Sequence, residues 1–153
     1  MGGDHPGAPG STPTAPRRVP PGQRHVHGWP VSHYGPVPRF RPERWNLRVF
    51  GATLAWAEYG YAANLRLRDF TAPETLLATH HNGELLTAEH GFPLRLVVPH
   101  LYGYKSPKWL RGIEYLTEDR RGFWEARGYH NVGDPWKEQR YSHQEREGEG
   151  PAL

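Results

Sequence analysis

The chain has 153 residues, 36% of them apolar, with 16 prolines and 18 glycines; that is room for one domain and no second core, with much of the length in turns or tails. Nineteen basic against sixteen acidic residues give a formal charge of +3, an excess that neither demands nor excludes an anionic partner. There is no cysteine, which removes disulfides, thiolate metal sites and cysteine nucleophiles together. No apolar run approaches the roughly 20 residues that cross a bilayer. The N-terminus shows no basic region followed by an apolar one, so no export signal is visible and the expected compartment is the cytoplasm.

Residues 1–24 read as a disordered tail. Met1 to Gly22 holds eleven Pro or Gly residues and almost nothing apolar, too little to offset the entropy of ordering. The domain is expected over 25–141. It opens with aromatic residues set between prolines, an extended pattern that packs by its side chains. His25 and His27 share a side in an extended chain; with no partner ligands nearby they read as surface residues rather than a metal site. Trp45, Leu47 and Val49 alternate with polar residues as in a strand with one buried face. Thr53 to Ala57 forms a second strand, with Leu54 and Trp56 on one side. A third places Ala63, Leu65 and Leu67 on one face. A short helical turn is expected near Phe70 to Glu74, then a strand over Leu76 to His80. Asn82-Gly83 is the strongest hairpin signal in the chain. His80 and His81 precede that turn and face opposite ways, so they read as hairpin residues.

From Leu94 to Val98 runs an apolar strand with one arginine inside it, followed by a Pro-rich turn and the basic cluster Lys105, Ser106 and Lys108. A guanidinium among apolar neighbours is costly unless an anion meets it. One reading is an ion pair with Glu89 or Glu114. The other is a cradle for a phosphorylated ligand, with Arg95 as a fork of donors, Lys108 as a point charge and Ser106 between them. Trp109, Arg111, Ile113 and Tyr115 alternate with Leu110, Gly112 and Glu114 in a further strand, so the two strands flank the basic turn. Thr117 caps an expected helix over Glu118 to Arg127, with Phe123 and Trp124 as anchors and Gly128 as its stop. Residues 142–153 read as a loose, charged tail. The sum is an α+β domain, mainly β.

Several motifs in this order resemble one family. They are His90-Gly91-Phe92-Pro93-Leu94-Arg95, Val97-Val98-Pro99, Ser106-Pro107-Lys108-Trp109, Gly122-Phe123-Trp124-Glu125 and Gly128-Tyr129-His130-Asn131. Upstream, His33-Tyr34-Gly35-Pro36-Val37-Pro38 and Arg48-Val49-Phe50-Gly51 belong with them. Together they resemble the sulfite oxidase family of molybdopterin enzymes, in particular its short bacterial members. The resemblance implies a partial sulfite-oxidase-like molybdopterin-binding fold. It also implies the molybdenum cofactor, with Ser32, His33, His90, Arg95, Ser106, Pro107 and Lys108 as cofactor contacts and Tyr129 as the catalytic residue. The implied chemistry is two-electron oxo transfer at molybdenum, with a small-molecule substrate and an electron-transfer partner; the cofactor carries the redox step. Sulfite-binding members place an arginine where Val31 stands, which argues against sulfite as substrate.

The pattern breaks between Gly51 and Tyr59. Family members carry a long segment there, including the cysteine whose thiolate ligates molybdenum, whereas here Ala52 to Ala57 joins the flanking strands directly. No residue is therefore assigned as a metal ligand, and an oxidoreductase impaired by the missing segment is one expectation. The other is a non-catalytic remnant that binds pterin or phosphate, or a scaffold pairing with another chain through an uncovered sheet edge. Nucleic-acid binding is weaker, because no stripe of Lys and Arg appears.

Overall fold

The computed structural model describes residues 19–151 apart from 25, 27, 52 and 53, and the side chains of 49–51 are likewise left aside. The expectations for the tail up to residue 18, for the His25/His27 pair and for Thr53 lie outside the described residues.

One strand organises the fold. β8 (Leu110–Tyr115) is the longest, and it lies between β1 (Arg48–Gly51), which runs parallel to it, and β2 (Leu54–Ala57), which runs antiparallel. β3 (Ala62–Asn64) adds to β2, giving the order β1-β8-β2-β3. The expected period-two alternation of β8 does not hold throughout. Trp109 enters it with a left-handed backbone (φ 53°), and a register shift opposite Trp56 and Ala57 pairs Ala57 with Leu110 but Trp56 with Gly112. That irregularity re-phases the strand, so Leu110 and Ile113, three apart, both reach the core.

A second, two-stranded sheet pairs β4 (Leu76–Ala78) with β7 (Arg95–Val97). Here the alternation is as expected: Leu94, Leu96 and Val98 are buried together with Leu101 and Ala55. The Leu96 amide donates to Pro107 O and the Leu110 amide to Leu94 O, which draws the intervening turn across the end of β7. The Asn82-Gly83 hairpin forms between β5 (His80–His81) and β6 (Glu84–Leu85), both turn residues taking positive φ. With one short α-helix among the described residues, α1 (Leu67–Phe70), the domain is α+β and mainly β.

Three expectations need correction. Leu67 does not extend the third strand; it starts α1 and is 56% exposed. The helix over Glu118 to Arg127 reduces to one 3-10 turn, Glu125–Arg127, and Thr117 caps nothing. The reason is tertiary: the Phe123 amide donates to Ala62 O at 2.7 Å, holding the chain against β3, and Gly122 passes so close that a Cβ there would sit 2.5 Å from Ala62 O. Gly128 does end that turn, at φ 93°. The C-terminal stretch is tied down through residue 149, not loose: Arg121 grips Glu145 in a two-bonded fork, and Gln139 donates to Glu149.

Candidate functional site

Between the β7–β8 turn, the segment 29–34 and the loop that follows β8 lies a cavity of about 650 Å³, and all eight residues expected at the site line it. The turn is anchored from behind. Lys105, fully buried, donates to Asn64 O, Asn64 Oδ1 and Asn131 O and forms an ion pair with the equally buried Glu125. The Tyr61 hydroxyl donates to Tyr104 O, and the Tyr104 hydroxyl to His130 O. Burial pushes both phenols far up, so they stay protonated as donors. Lys105 is thus a structural charge, separate from the other members of the basic cluster.

Arg95 is 8% exposed and meets no carboxylate among the described residues. Glu114, one expected partner, is engaged by Trp56 and Arg120. Two of the five guanidinium hydrogens are spent on backbone: Nη1 donates to His90 O at 3.1 Å and Nη2 to Ser106 O at 3.4 Å. Nε is buried with no partner, and the group lies over the Trp29 ring at 4.9 Å. Burial alone pulls its pKa down. Lys108 stands beside it, with Nζ donating to Glu89 O at 2.7 Å; burial and then the Arg95 charge lower its pKa from 10.5 to about 8. Gly91 permits this proximity. At φ 106°, a Cβ there would lie 3.0 Å from Lys108 Cβ and 3.2 Å from Arg95 Cβ. Ser106 Oγ accepts from the Val98 amide at 2.9 Å, which leaves its hydroxyl hydrogen free to donate. Pro107 is fully buried and sets the turn.

The remaining residues form the walls. His90 Nε2 faces Trp29 O at 3.2 Å and must donate, so Nδ1 accepts from Thr87 in the neutral ring; both nitrogens are used by the protein. His33 Nδ1 donates to Gly35 O at 2.7 Å, leaving Nε2 open, and Ser32 is exposed at the rim. Tyr129 packs edge-on against Tyr104 at 5.1 Å, and its hydroxyl bonds to no described residue. The sequence reading missed Trp29, Tyr61, Tyr102, Tyr104 and Arg140, which also line the cavity. The runs Leu101-Tyr102-Gly103-Tyr104 and Gly122-Phe123-Trp124 were the available signal: planar side chains spaced to frame a flat ligand.

In chemical terms the cavity pairs an aromatic enclosure with a corner of two cations and a hydroxyl. That corner fits a phosphate. A metal finds less: the chain has no cysteine, and no group of three or more His, Asp or Glu side chains gathers among the described residues.

The family model of the oxidoreductase molybdopterin binding domain matches residues 52–124, which hold His90, Arg95 and the Ser106–Lys108 turn but not Tyr129. The uncharacterized oxidoreductase YuiH of Bacillus subtilis is 38% identical over 183 residues, covering 82% of this chain and 92% of its own. Sulfite oxidase of Arabidopsis thaliana is 45% identical over 71 residues, which are 45% of this chain and 18% of that enzyme. The protein-methionine-sulfoxide reductase catalytic subunit MsrP of Campylobacter jejuni is 39% identical over 69 residues, 45% of this chain and 23% of its own. The chain therefore spans nearly all of the first relative and under a quarter of the other two.

Proposed function

Since the chain belongs to the oxidoreductase molybdopterin-binding domain family of sulfite oxidase type, we propose that it grips the phosphate of a molybdopterin with Arg95, Ser106 and Lys108. The carrying observation is that Arg95 and Lys108 adjoin on the cavity wall with no carboxylate among the described residues paired to the guanidinium. Like charges brought together out of water await an anion. Charge-assisted hydrogen bonds of about 1.5–3 kcal/mol each make three converging contacts a usable grip.

Each other residue then has a task. Pro107 holds Ser106 and Lys108 in register. His90 holds its ring beside Trp29, while Ser32 and His33 close the rim, Ser32 with an unspent hydroxyl and His33 with its Nε2 open. Tyr129 presents its hydroxyl to the enclosed space, where it can donate to an oxygen of substrate or cofactor. When bound, the cofactor supplies two-electron oxo transfer, and an electron-transfer partner completes the cycle. Val31, where sulfite-binding members carry arginine, points to a substrate other than sulfite.

Turnover is impaired in this reading, because no thiolate is present to ligate molybdenum. An internal segment missing relative to the family accounts for that. The match to the Bacillus protein runs over 183 positions, while 82% of this 153-residue chain supplies only about 125, leaving about 58 that the relative fills alone. The same observation favours a second reading, a pterin- or phosphate-binding module without catalysis.

The test is to purify the chain from a host that makes the cofactor and to measure pterin, molybdenum and oxo transfer per chain. Pterin near one per chain, with little molybdenum and slow turnover, is expected. Arg95→Ala should lose at least nine-tenths of the pterin at unchanged circular dichroism. Equal pterin in the variant would sink the phosphate grip, and full pterin with no turnover at all would leave the module.

A further inference from the structure

A second cavity, of about 420 Å³, backs onto the first and shares Glu58, Tyr59 and Trp109 with it. Its volume falls within the range of small-molecule sites. Arg39, Phe40, Arg41, Arg44 and Trp45 line it, brought round by the 3-10 turn Pro42–Arg44, together with Phe92.

Most of the polar groups here are already spent. Arg111 pairs with Glu58 and donates to Asn46 O and Arg44 O, and Trp109 Nε1 donates to Ala88 O. Four donors remain. The guanidinium groups of Arg39, Arg41 and Arg44 make no ion pair or side-chain hydrogen bond with any described residue, the nearby Glu43 included. The indole N–H of Trp45 is buried without a partner. Of the four orphaned buried atoms among the described residues, one belongs to each cavity wall: Arg95 Nε in the first, Trp45 Nε1 here. Phe40 meets both Phe92 and Trp45 edge-on, at 4.9 and 6.5 Å, and gives the site an apolar side. Three of the unspent groups are permanent cations, and the one carboxylate on the wall, Glu58, is held by Arg111, so the complementary guest is an anion with an apolar body.

We propose that this cavity binds a small organic anion, its acid group among Arg39, Arg41 and Arg44 and its body against Phe40 and Phe92. The two sites share one wall. Tyr59 (φ 57°) and Trp109 (φ 53°) both hold left-handed backbones there, and the Glu58 amide donates to Trp109 O. An occupant of the second cavity thus touches the same aromatic wall as the contents of the first. The proposal uses none of the residues of the phosphate grip, so either can fail alone.

The experiment titrates the whole chain with phenyl phosphate and, separately, inorganic phosphate, following the six tryptophan indole N–H resonances with Trp45 assigned through Trp45→Phe. Phenyl phosphate should shift the Trp45 signal saturably and bind more tightly than inorganic phosphate. Replacing Arg39, Arg41 and Arg44 by Gln should weaken it at least tenfold. Arg95→Ala and Lys108→Met should leave that response intact. The proposal is overturned by a Trp45 signal that never moves, by one that moves equally in the triple variant, or by loss of the response in both Arg95→Ala and Lys108→Met. Equal affinity for the two phosphates would remove the apolar part of the assignment.

Discussion

Lys108 carries the pH behaviour of the main site. Burial and then the charge on Arg95 lower its pKa from 10.5 to about 8. An anion bridging the two cations reverses that repulsion, so its binding favours the charged lysine. Below about pH 8 the lysine is already charged and affinity should be flat. Above it each binding event must also take up a proton, and affinity should fall by up to tenfold per pH unit. Sulfate suits the measurement because its own charge does not change; calorimetry from pH 6.5 to 9.5 should give this bend, and Lys108→Met a weaker, level profile. A bend unchanged in the variant would assign the titration elsewhere. For folding the sign is opposite in sense. Between about pH 8 and 10.5 the unfolded chain holds the extra proton, so the contribution of Lys108 to stability rises with pH across that window and is least below it. Gly91 is the companion residue. Gly91→Ala sets a Cβ 3.0 Å from Lys108 Cβ and 3.2 Å from Lys108 Cα at a φ of 106°, so it should cost about 1–3 kcal/mol in urea unfolding and weaken sulfate binding with it.

At the scale of elements, the β7–β8 turn is held from behind by the Lys105–Glu125 pair. Burial pushes the Glu125 carboxyl up and the Lys105 ammonium down, each opposed by its partner. Removing one member strands the other, so Lys105→Met should cost about 3–5 kcal/mol by urea denaturation, and adding Glu125→Leu should recover most of it. A double variant no more stable than the single one would mean that the bonds to Asn64 and Asn131 dominate instead. This pair also marks where the sequence is legible and where it is not. That Arg95, Ser106 and Lys108 would lie on one cavity wall was readable because an arginine in an apolar strand and a Ser-Pro-Lys turn announce an unusual need for charge. The Asn82-Gly83 hairpin was readable because its backbone requirement is local. Lys105 gave no such sign: three residues from Lys108 and equally basic, it differs only in facing Asn64 and Glu125, contacts 41 and 20 positions away in the chain. The helix over Glu118 to Arg127 failed for the same reason, since Phe123 bonds to Ala62 across 61 positions and outweighs local propensity. The cavity of Arg39, Arg41 and Arg44 was passed over because solvated arginines near a proline look alike whether or not a hollow lies beside them.

At the scale of the molecule, strand order bears on the proposal that a segment is missing. β1 and β2 flank β8 on opposite sides, Gly51 pairing with Tyr115 and Leu54 with Glu114, and only Ala52 and Thr53 separate them in sequence. Two strand spacings amount to about 9.6 Å, and three Cα steps extend to roughly 10–11 Å at most. Consecutive strands separated by two residues in sequence ordinarily pair with each other, and β1 and β2 do not. This supports reading the point between Gly51 and Leu54 as the place where relatives insert their extra length. A chimera carrying the corresponding stretch of the Bacillus protein there should therefore fold more stably and, if the stretch brings the ligating cysteine, retain molybdenum together with pterin. A Gly/Ser segment of equal length should bring no metal, and the chimera with its cysteine changed to Ser should keep pterin but lose molybdenum. If the chimera holds pterin no better than the parent chain and stays free of molybdenum, the remaining domain is not an enzyme lacking a part. It is then a binding module, and Arg95, Ser106 and Lys108 serve its anion alone.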